Sequence, residues 1–269
     1  MKKILIGSSP CTHWSVIQNA KNREVQASGQ GWELFKNFVI ALEKFKPDYF
    51  IYENNSSIHQ DIKKQIEKEL QVNLLEIDSQ LVSAQRRKRI YATNIEGAKI
   101  PEDRGILLQD ILEYGETERK KSKTVRVGDS GSGWGNKHEW DMPNKDRVYT
   151  TTELERLQTM PDGYTQGIPE NQRRKCLGNG WTAEVIIELM QYMKIEKDEE
   201  IIVVSLYDGI ATGRYCLEKL GFTNVKYFAY EIDKYAMQVA VKNYPDIIEC
   251  GDAFKVRAEN WCIEEELGQ

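Results

Sequence analysis

The chain has 269 residues, 40% hydrophobic and 10% aromatic, enough to bury a substantial core and too apolar to stay disordered. Its five cysteines include no C-x-x-C pair and no metal-like spacing with histidine, which sets aside a disulfide framework and a structural zinc and suits a reducing cytoplasm. No apolar run is long enough to span a bilayer, the opening Met-Lys-Lys-Ile-Leu-Ile is too short for a signal peptide's core, and a soluble, internal protein is expected.

Lys3 to Ile6 is a short apolar run ending at Gly7-Ser-Ser-Pro10, which predicts a buried strand entering a loop that carries Cys11. Trp32, Phe35, Phe38, Val39, Leu42 and Phe45 recur at helical spacing, Pro47 stops that helix, and Tyr49 to Tyr52 predicts a second strand ending at Glu53-Asn54. Ile58, Ile62, Ile66 and Leu70 predict another helix, followed by a strand over Val72 to Ile77. Alternation of this kind predicts an α/β fold with a parallel sheet.

From Ile95 to Tyr149 periodicity fails: after a helix around Ile106 to Leu112 comes the glycine-rich Thr124-Val-Arg-Val-Gly-Asp-Ser-Gly-Ser-Gly-Trp134. An irregular stretch so long inside a compact domain is usually functional or disordered. Thr152 with Glu155 predicts a capping box, helical spacing returns at Val185, Ile186, Leu189 and Met193, and charged Lys194 to Glu200 reads as a linker. Ile201 to Leu206 opens a new α/β unit with a helix from Gly213, a strand Tyr227 to Ile232, a helix from Asp233 and a strand Ile247 to Cys250.

The net charge of -5 does not by itself suggest a nucleic-acid ligand, but its distribution is uneven. Basic runs occur at Gln85-Arg-Arg-Lys-Arg89, Arg119-Lys-Lys-Ser-Lys123 and Gln172-Arg-Arg-Lys175, while acid gathers at Glu196 to Glu200 and Glu264 to Glu266. One such run is ordinarily a solvated surface; three in the half that carries Cys11 point to a polyanion.

Asp208-Gly-Ile-Ala-Thr-Gly213 follows a strand and opens a helix, a turn where backbone can approach a ligand. Glu231 at the end of the next strand is placed to accept from ribose hydroxyls, and Gly251-Asp252 after the third to meet an adenine amino group. Without a full G-x-G-x-x-G the turn lacks a pyrophosphate cradle, so an adenosyl ligand fits better than a dinucleotide. In the other half Cys11 is a candidate nucleophile, although a lone loop cysteine is more often inert. Glu53 should emerge at the same sheet edge, where burial would suit it as a proton donor. Arg87 and Arg89 alternate and would share one face of an extended segment, suited to holding a nucleobase or phosphate.

Over nearly its whole length the chain resembles the cytosine-C5 DNA methyltransferases. Pro10-Cys11 resembles the family's nucleophile loop, Glu53-Asn54-Asn55 its Glu-Asn-Val motif, and Gln85 to Arg89 its Gln-x-Arg-x-Arg segment. Glu155 to Asp162 resembles the motif supporting target recognition, Gly178-Asn-Gly-Trp-Thr182 the last motif, and Asp208 to Gly213, Glu231 and Gly251-Asp252 the three cofactor motifs. Val204 to Gly213 and Trp181 are most similar to the animal de novo branch. Departures are Asn55 for Val, Tyr207 for Phe, Asn179-Gly180 in the last motif and, largest, the motif order: the nucleophile half comes first.

The resemblance implies a doubly wound, mostly parallel sheet of the Rossmann-like methyltransferase kind, circularly permuted, with both termini together at the surface and a small target-recognition region. It implies a catalytic half over 1–94, target recognition over 95–149, supporting helices over 150–193, a linker over 194–200 and an S-adenosyl-L-methionine half over 201–269. Cys11, Glu53, Arg87 and Arg89 would be catalytic. Asp208, Gly209, Ile210, Ala211, Thr212, Gly213, Glu231, Ile232, Asp252, Ala253, Asn179, Gly180 and Trp181 would hold the cofactor. Ser9, Arg86, Arg119, Lys120, Lys121, Lys123 and Arg126 would contact double-stranded DNA, with a monomer acting at a short or relaxed site and no metal. The RNA cytosine methyltransferases share the carbon 5 chemistry, but the Thr-Cys and Pro-Cys pair of the main RNA enzymes is absent here.

Overall fold

The computed structural model describes residues 1–15, 23–126, 143, 144, 147–261 and 263. Its centre is one seven-stranded sheet in the order β3-β4-β2-β1-β5-β6-β7. The strands are β1 Lys2–Gly7, β2 Tyr49–Asn55, β3 Leu75–Asp78, β4 Lys88–Thr93, β5 Ile201–Leu206, β6 Val225–Tyr230 and β7 Ile248–Glu249. The parallel pairs run β2-β1-β5-β6-β7, and β4 lies antiparallel between β2 and β3.

Both faces of the sheet are buried, which is why the strands read as continuous apolar runs rather than alternating ones. Leu5, Phe50, Tyr52, Val204, Leu206 and Phe228 pack on one side with helix α1 (Gly29–Phe45), helix α2 (Gln60–Leu70) and the turn Ala253–Arg257. Ile4, Ile6, Ile51, Tyr91, Val203 and Tyr227 pack on the other with the C-terminal helices. Those, with a four-residue α3 (Leu108–Ile111), are α4 (Thr151–Leu157), α5 (Glu170–Asn179), α6 (Ala183–Met190), α7 (Thr212–Lys219) and α8 (Lys234–Asn243). The helix α1 stops where Lys46 turns left-handed before Pro47, as expected from that proline.

Two expectations are corrected. The capping box of α4 is Thr150 with Glu153, not Thr152 with Glu155. Glu153 also receives Arg147, whereas Glu155 is drawn inward to accept from the Gly163 and Thr165 backbone and from Arg173. The first-half sheet is also not wholly parallel, because Lys88–Thr93 forms its own antiparallel strand. Two further expectations lie outside the described residues: the glycine-rich turn beyond Arg126 and the approach of the C-terminal end to the N-terminus.

The strand order reverses between β1 and β5: β6 and β7 wind outward on one side, β2 to β4 on the other. Ligands of such sheets bind outside the carboxyl ends of the strands at that reversal. Here the loops leaving β1 and β5 carry Cys11 and Asp208, and the Ser8 N–H reaches the Leu206 carbonyl at 3.4 Å between them.

Candidate active site

Cys11 opens a single 3-10 turn behind Pro10. The loop before it is pinned from β2: the Asn54 amide donates to the Ser9 carbonyl and hydroxyl, each at 3.1 Å, and Ser9 shares a 2.7 Å hydrogen bond with the Tyr52 hydroxyl. The Ser9 side chain, expected to face DNA, is thus buried and engaged inside the protein.

Glu53 leaves β2 on the opposite face and is only 7% exposed. Its two carboxylate oxygens have one donor each: Arg89 Nε reaches Oε1 at 3.0 Å and Trp181 Nε1 reaches Oε2 at 3.1 Å. Burial raises the Glu53 pKa, opposed by the charges of Arg89 and Arg87 and by the Trp181 hydrogen bond. Burial also raises the Cys11 thiol, with Arg89 and then Arg87 pulling it down and Glu53 pushing it up. The four expected catalytic side chains therefore sense one another's charge in one neighbourhood. A thiol near two guanidiniums and a carboxyl whose pKa is raised by burial are the groups that nucleophilic attack coupled to proton donation would need.

Arg87 differs from Arg89 in what it touches. It is 3% exposed and donates to the Val125, Gly178 and Gly180 carbonyls at 2.9, 3.1 and 2.8 Å. Burial and the Arg89 charge work against its own. It ties the approach to β4 to Val125 within the irregular region and to the end of α5, which suits a positioning role. Gln85 and Gln158 extend this frame: Gln85 Nε2 donates to Gln158 Oε1, Gln158 Nε2 to the Leu177 carbonyl, and the Thr182 hydroxyl to Gln158 Oε1. Gln158 and Asn54 carry much of the site's rigidity, and nothing in the sequence beyond their place in matched motifs marks them.

On the other wall, residues 207–213 form a cradle. Tyr207, Gly209 and Ala211 all have positive φ, at 57°, 66° and 60°. A Cβ on Gly209 would meet open space, whereas one on Gly213 would fall 2.1 Å from Ile6 Cδ1, so the first glycine leaves room for a ligand and the second for helix packing. Asp208 Oδ1 accepts from Ser205 and Tyr227, each at 2.6 Å, while Oδ2 is buried without a partner. Burial pushes the Asp208 pKa up to about 6. Glu231 accepts the backbone N–H groups of Gly209, Ile232 and Asp233. Asp252 caps the Phe254 N–H, and Ile232, at 74% exposure, is a large apolar side chain in solvent. Ile210, Ala211, Thr212 and Ala253 turn their side chains into the protein and could meet a ligand only by backbone, while Asn179 is exposed. Open space at Gly209, an orphaned Asp208 oxygen and exposed Ile232 and Phe254 suit a half-polar, half-flat ligand such as an adenosyl group.

The basic runs separate. Residues 118–126 lie alongside 84–88: the Arg86 N–H donates to the Ser122 carbonyl, the Ser122 N–H to Ala84, and the Thr124 hydroxyl to Arg86. Exposed Arg86 and Lys120 thus share a ledge with Arg119, Lys123 and Arg126, although the Lys121 ammonium is spent on the Gln80 and Ser83 carbonyls. The third run is consumed internally, Arg173 by Glu155, Arg174 by Glu170 and Lys175 by Asp233. No helix among the described residues is long and apolar enough to cross a membrane, and no metal-holding cluster occurs among them.

The sheet is consistent with a Rossmann-like methyltransferase fold, with the Cys11 loop and the glycine turn leaving the adjacent strands β1 and β5 at the reversal of strand order. Residues 1–102, which contain Cys11, Glu53, Arg87 and Arg89, match the family model described as C-5 cytosine-specific DNA methylase. The match supports methyltransferase chemistry on cytosine in DNA.

Proposed function

We propose that this protein is a DNA (cytosine-5-)-methyltransferase with circularly permuted motifs, using Cys11 as nucleophile and S-adenosyl-L-methionine as donor. The observation that carries it is the convergence of a thiol, a buried acid and two guanidiniums, with a glycine turn and its orphaned carboxylate oxygen at the end of the strand next to the thiol's own. Carbon 5 of cytosine is a poor nucleophile. The Cys11 thiolate adds to carbon 6 while Glu53 gives its proton to ring nitrogen 3, leaving an enamine whose carbon 5 can attack. Arg89 steadies Glu53 and faces the base oxygen, and Arg87 holds the surrounding turn. S-adenosyl-L-methionine, when bound by 208–213, Glu231, Ile232 and Asp252, supplies an electrophilic methyl group. Water then takes the carbon 5 proton as the Cys11 thiolate is expelled, and ring nitrogen 3 returns its proton to Glu53, which restores the neutral aromatic ring.

None of these atoms is reachable inside a duplex, so the target cytosine is flipped out, and the ledge of Arg86, Arg119, Lys120, Lys123 and Arg126 contacts phosphates around it. The shortness of the 95–149 region in sequence fits a short or relaxed recognition sequence. Expression in a methylation-free host followed by bisulfite sequencing tests the reading: cytosine methylation is expected with the natural chain and none with Cys11→Ser. Methylation surviving that substitution overturns the nucleophile assignment.

A further inference from the structure

Trp181 was expected at the cofactor, yet its indole N–H is directed to Glu53 Oε2 at 3.1 Å. Its place is built by the fold. The turn before it is clamped by Arg87 on the Gly178 and Gly180 carbonyls and by Gln158 on the Leu177 and Gly180 carbonyls. The residue after it, Thr182, bonds Gln158 and accepts from Ser79 at the end of β3. A side chain held from both flanks by buried, satisfied amides loses little further freedom in giving its hydrogen bond.

We propose that Trp181 is a positioning residue for Glu53, whose indole N–H together with Arg89 Nε–H fixes the carboxyl group so that its proton faces the base pocket. This rests on the reading of Glu53 as proton donor. Each oxygen of Glu53 has one lone pair occupied by a donor, Oε1 by Arg89 and Oε2 by Trp181. A proton on Glu53 is therefore confined to the lone pairs pointing away from both, a preorganisation that a freely rotating carboxylic acid lacks. The charged and titratable neighbours of Glu53 are Arg89, Arg87 and Tyr91 from β4 and its approach, Tyr52 from β2 and Cys11 from the β1 loop. Trp181 is the contribution from the turn between α5 and α6, and the neutral member of the pair of donors that reach Glu53 among the described residues.

Two measurements test this. In 15N-labelled natural protein, with Trp181→Phe used for assignment, the Trp181 indole N–H resonance should move as Glu53 titrates and should lose that movement in Glu53→Gln; a resonance indifferent to both overturns the proposal. This readout needs no activity, so it is separable from a failure of the methyltransferase reading, which would show as absent methylation by the natural chain. In Trp181→Phe the infrared band of protonated Glu53, assigned with Glu53→Gln, should persist to a pH about one unit higher, the size of one charge-assisted hydrogen bond. The same variant should lose about tenfold in kcat with little change in donor KM. A raised donor KM with unchanged kcat would return Trp181 to the cofactor and overturn the proposal.

Discussion

Replacing Glu249 by Gln should stabilise the protein at alkaline pH and hardly at all in acid. Both carboxylate oxygens of Glu249 are buried on β7 without a hydrogen-bond partner. Burial first, then the charges of Asp208 and Glu231, push its pKa from 4.5 up to about 7. A carboxyl whose pKa is raised on folding binds more protons in the native state, so its contribution is favourable below about 4.5 and is lost as pH climbs through 7. The full shift of about 2.5 units corresponds to about 3.4 kcal/mol. Because the side chain is only partly buried, water screens much of this, leaving about 1–2 kcal/mol at pH 8. About three quarters of the change falls between pH 5 and pH 8. Scanning calorimetry of Glu249→Gln against the natural chain should then show a Tm gain of about 2–6 °C at pH 8 and much less at pH 5. An equal gain at both pH values, or none at either, would refute the charge argument, since a packing effect would not follow pH.

Cys11→Ser should fail to form the denaturant-resistant complex with a 5-fluorocytosine duplex and donor that the natural chain forms, while keeping its melting temperature. A trapped complex in that variant would move the nucleophile elsewhere. Arg87→Met should cost about 2–4 kcal/mol in urea unfolding, because the Val125 and Gly178 carbonyls lose a charged donor inside the protein. A loss below about 1 kcal/mol would mean that water replaces the guanidinium. Gly213→Ala should cost about 1–3 kcal/mol, the added methyl having to displace Ile6 between α7 and β1. Unchanged stability would show that α7 shifts freely.

Much of this was legible from local pattern. The apolar run into Cys11, the strand ending at Glu53 and the turn at Asp208 occur where periodicity put them, because buried parallel strands declare themselves as short β-branched runs. Alternation of Arg87 and Arg89 correctly implied one face. It could not separate their roles, since the acceptors of Arg87 lie at Val125, Gly178 and Gly180, far along the chain. The antiparallel direction of β4 was hidden for a similar reason: Ile90, Tyr91 and Ala92 are buried on both faces, and an apolar run has no direction. Thr150-x-x-Glu153 and Thr152-x-x-Glu155 fit one capping pattern in two registers, and only the tertiary partners Arg147 and Arg173 choose between them. The third basic run meets acids at Glu155, Glu170 and Asp233 that its charge in sequence does not announce.

The seam between β1 and β5 bears on how the protein is made. Lys2 pairs with Ile201, so β1 is synthesised before β5 and waits for a partner roughly 200 residues behind it. At about 5–20 residues per second that delay is about 10–40 seconds. During it the Ile4, Leu5 and Ile6 edge has no neighbour on that side, a target for chaperones. The loop carrying Cys11 also stands beside no glycine turn until β5 and the residues after it emerge. Translation that stops before β5 releases a chain with Cys11 but without the glycine turn at 207–213. Conversely, two fragments cut between 194 and 200 would have one parallel six-residue ladder along which to rejoin, a natural seam for a split, chemically inducible version of the molecule.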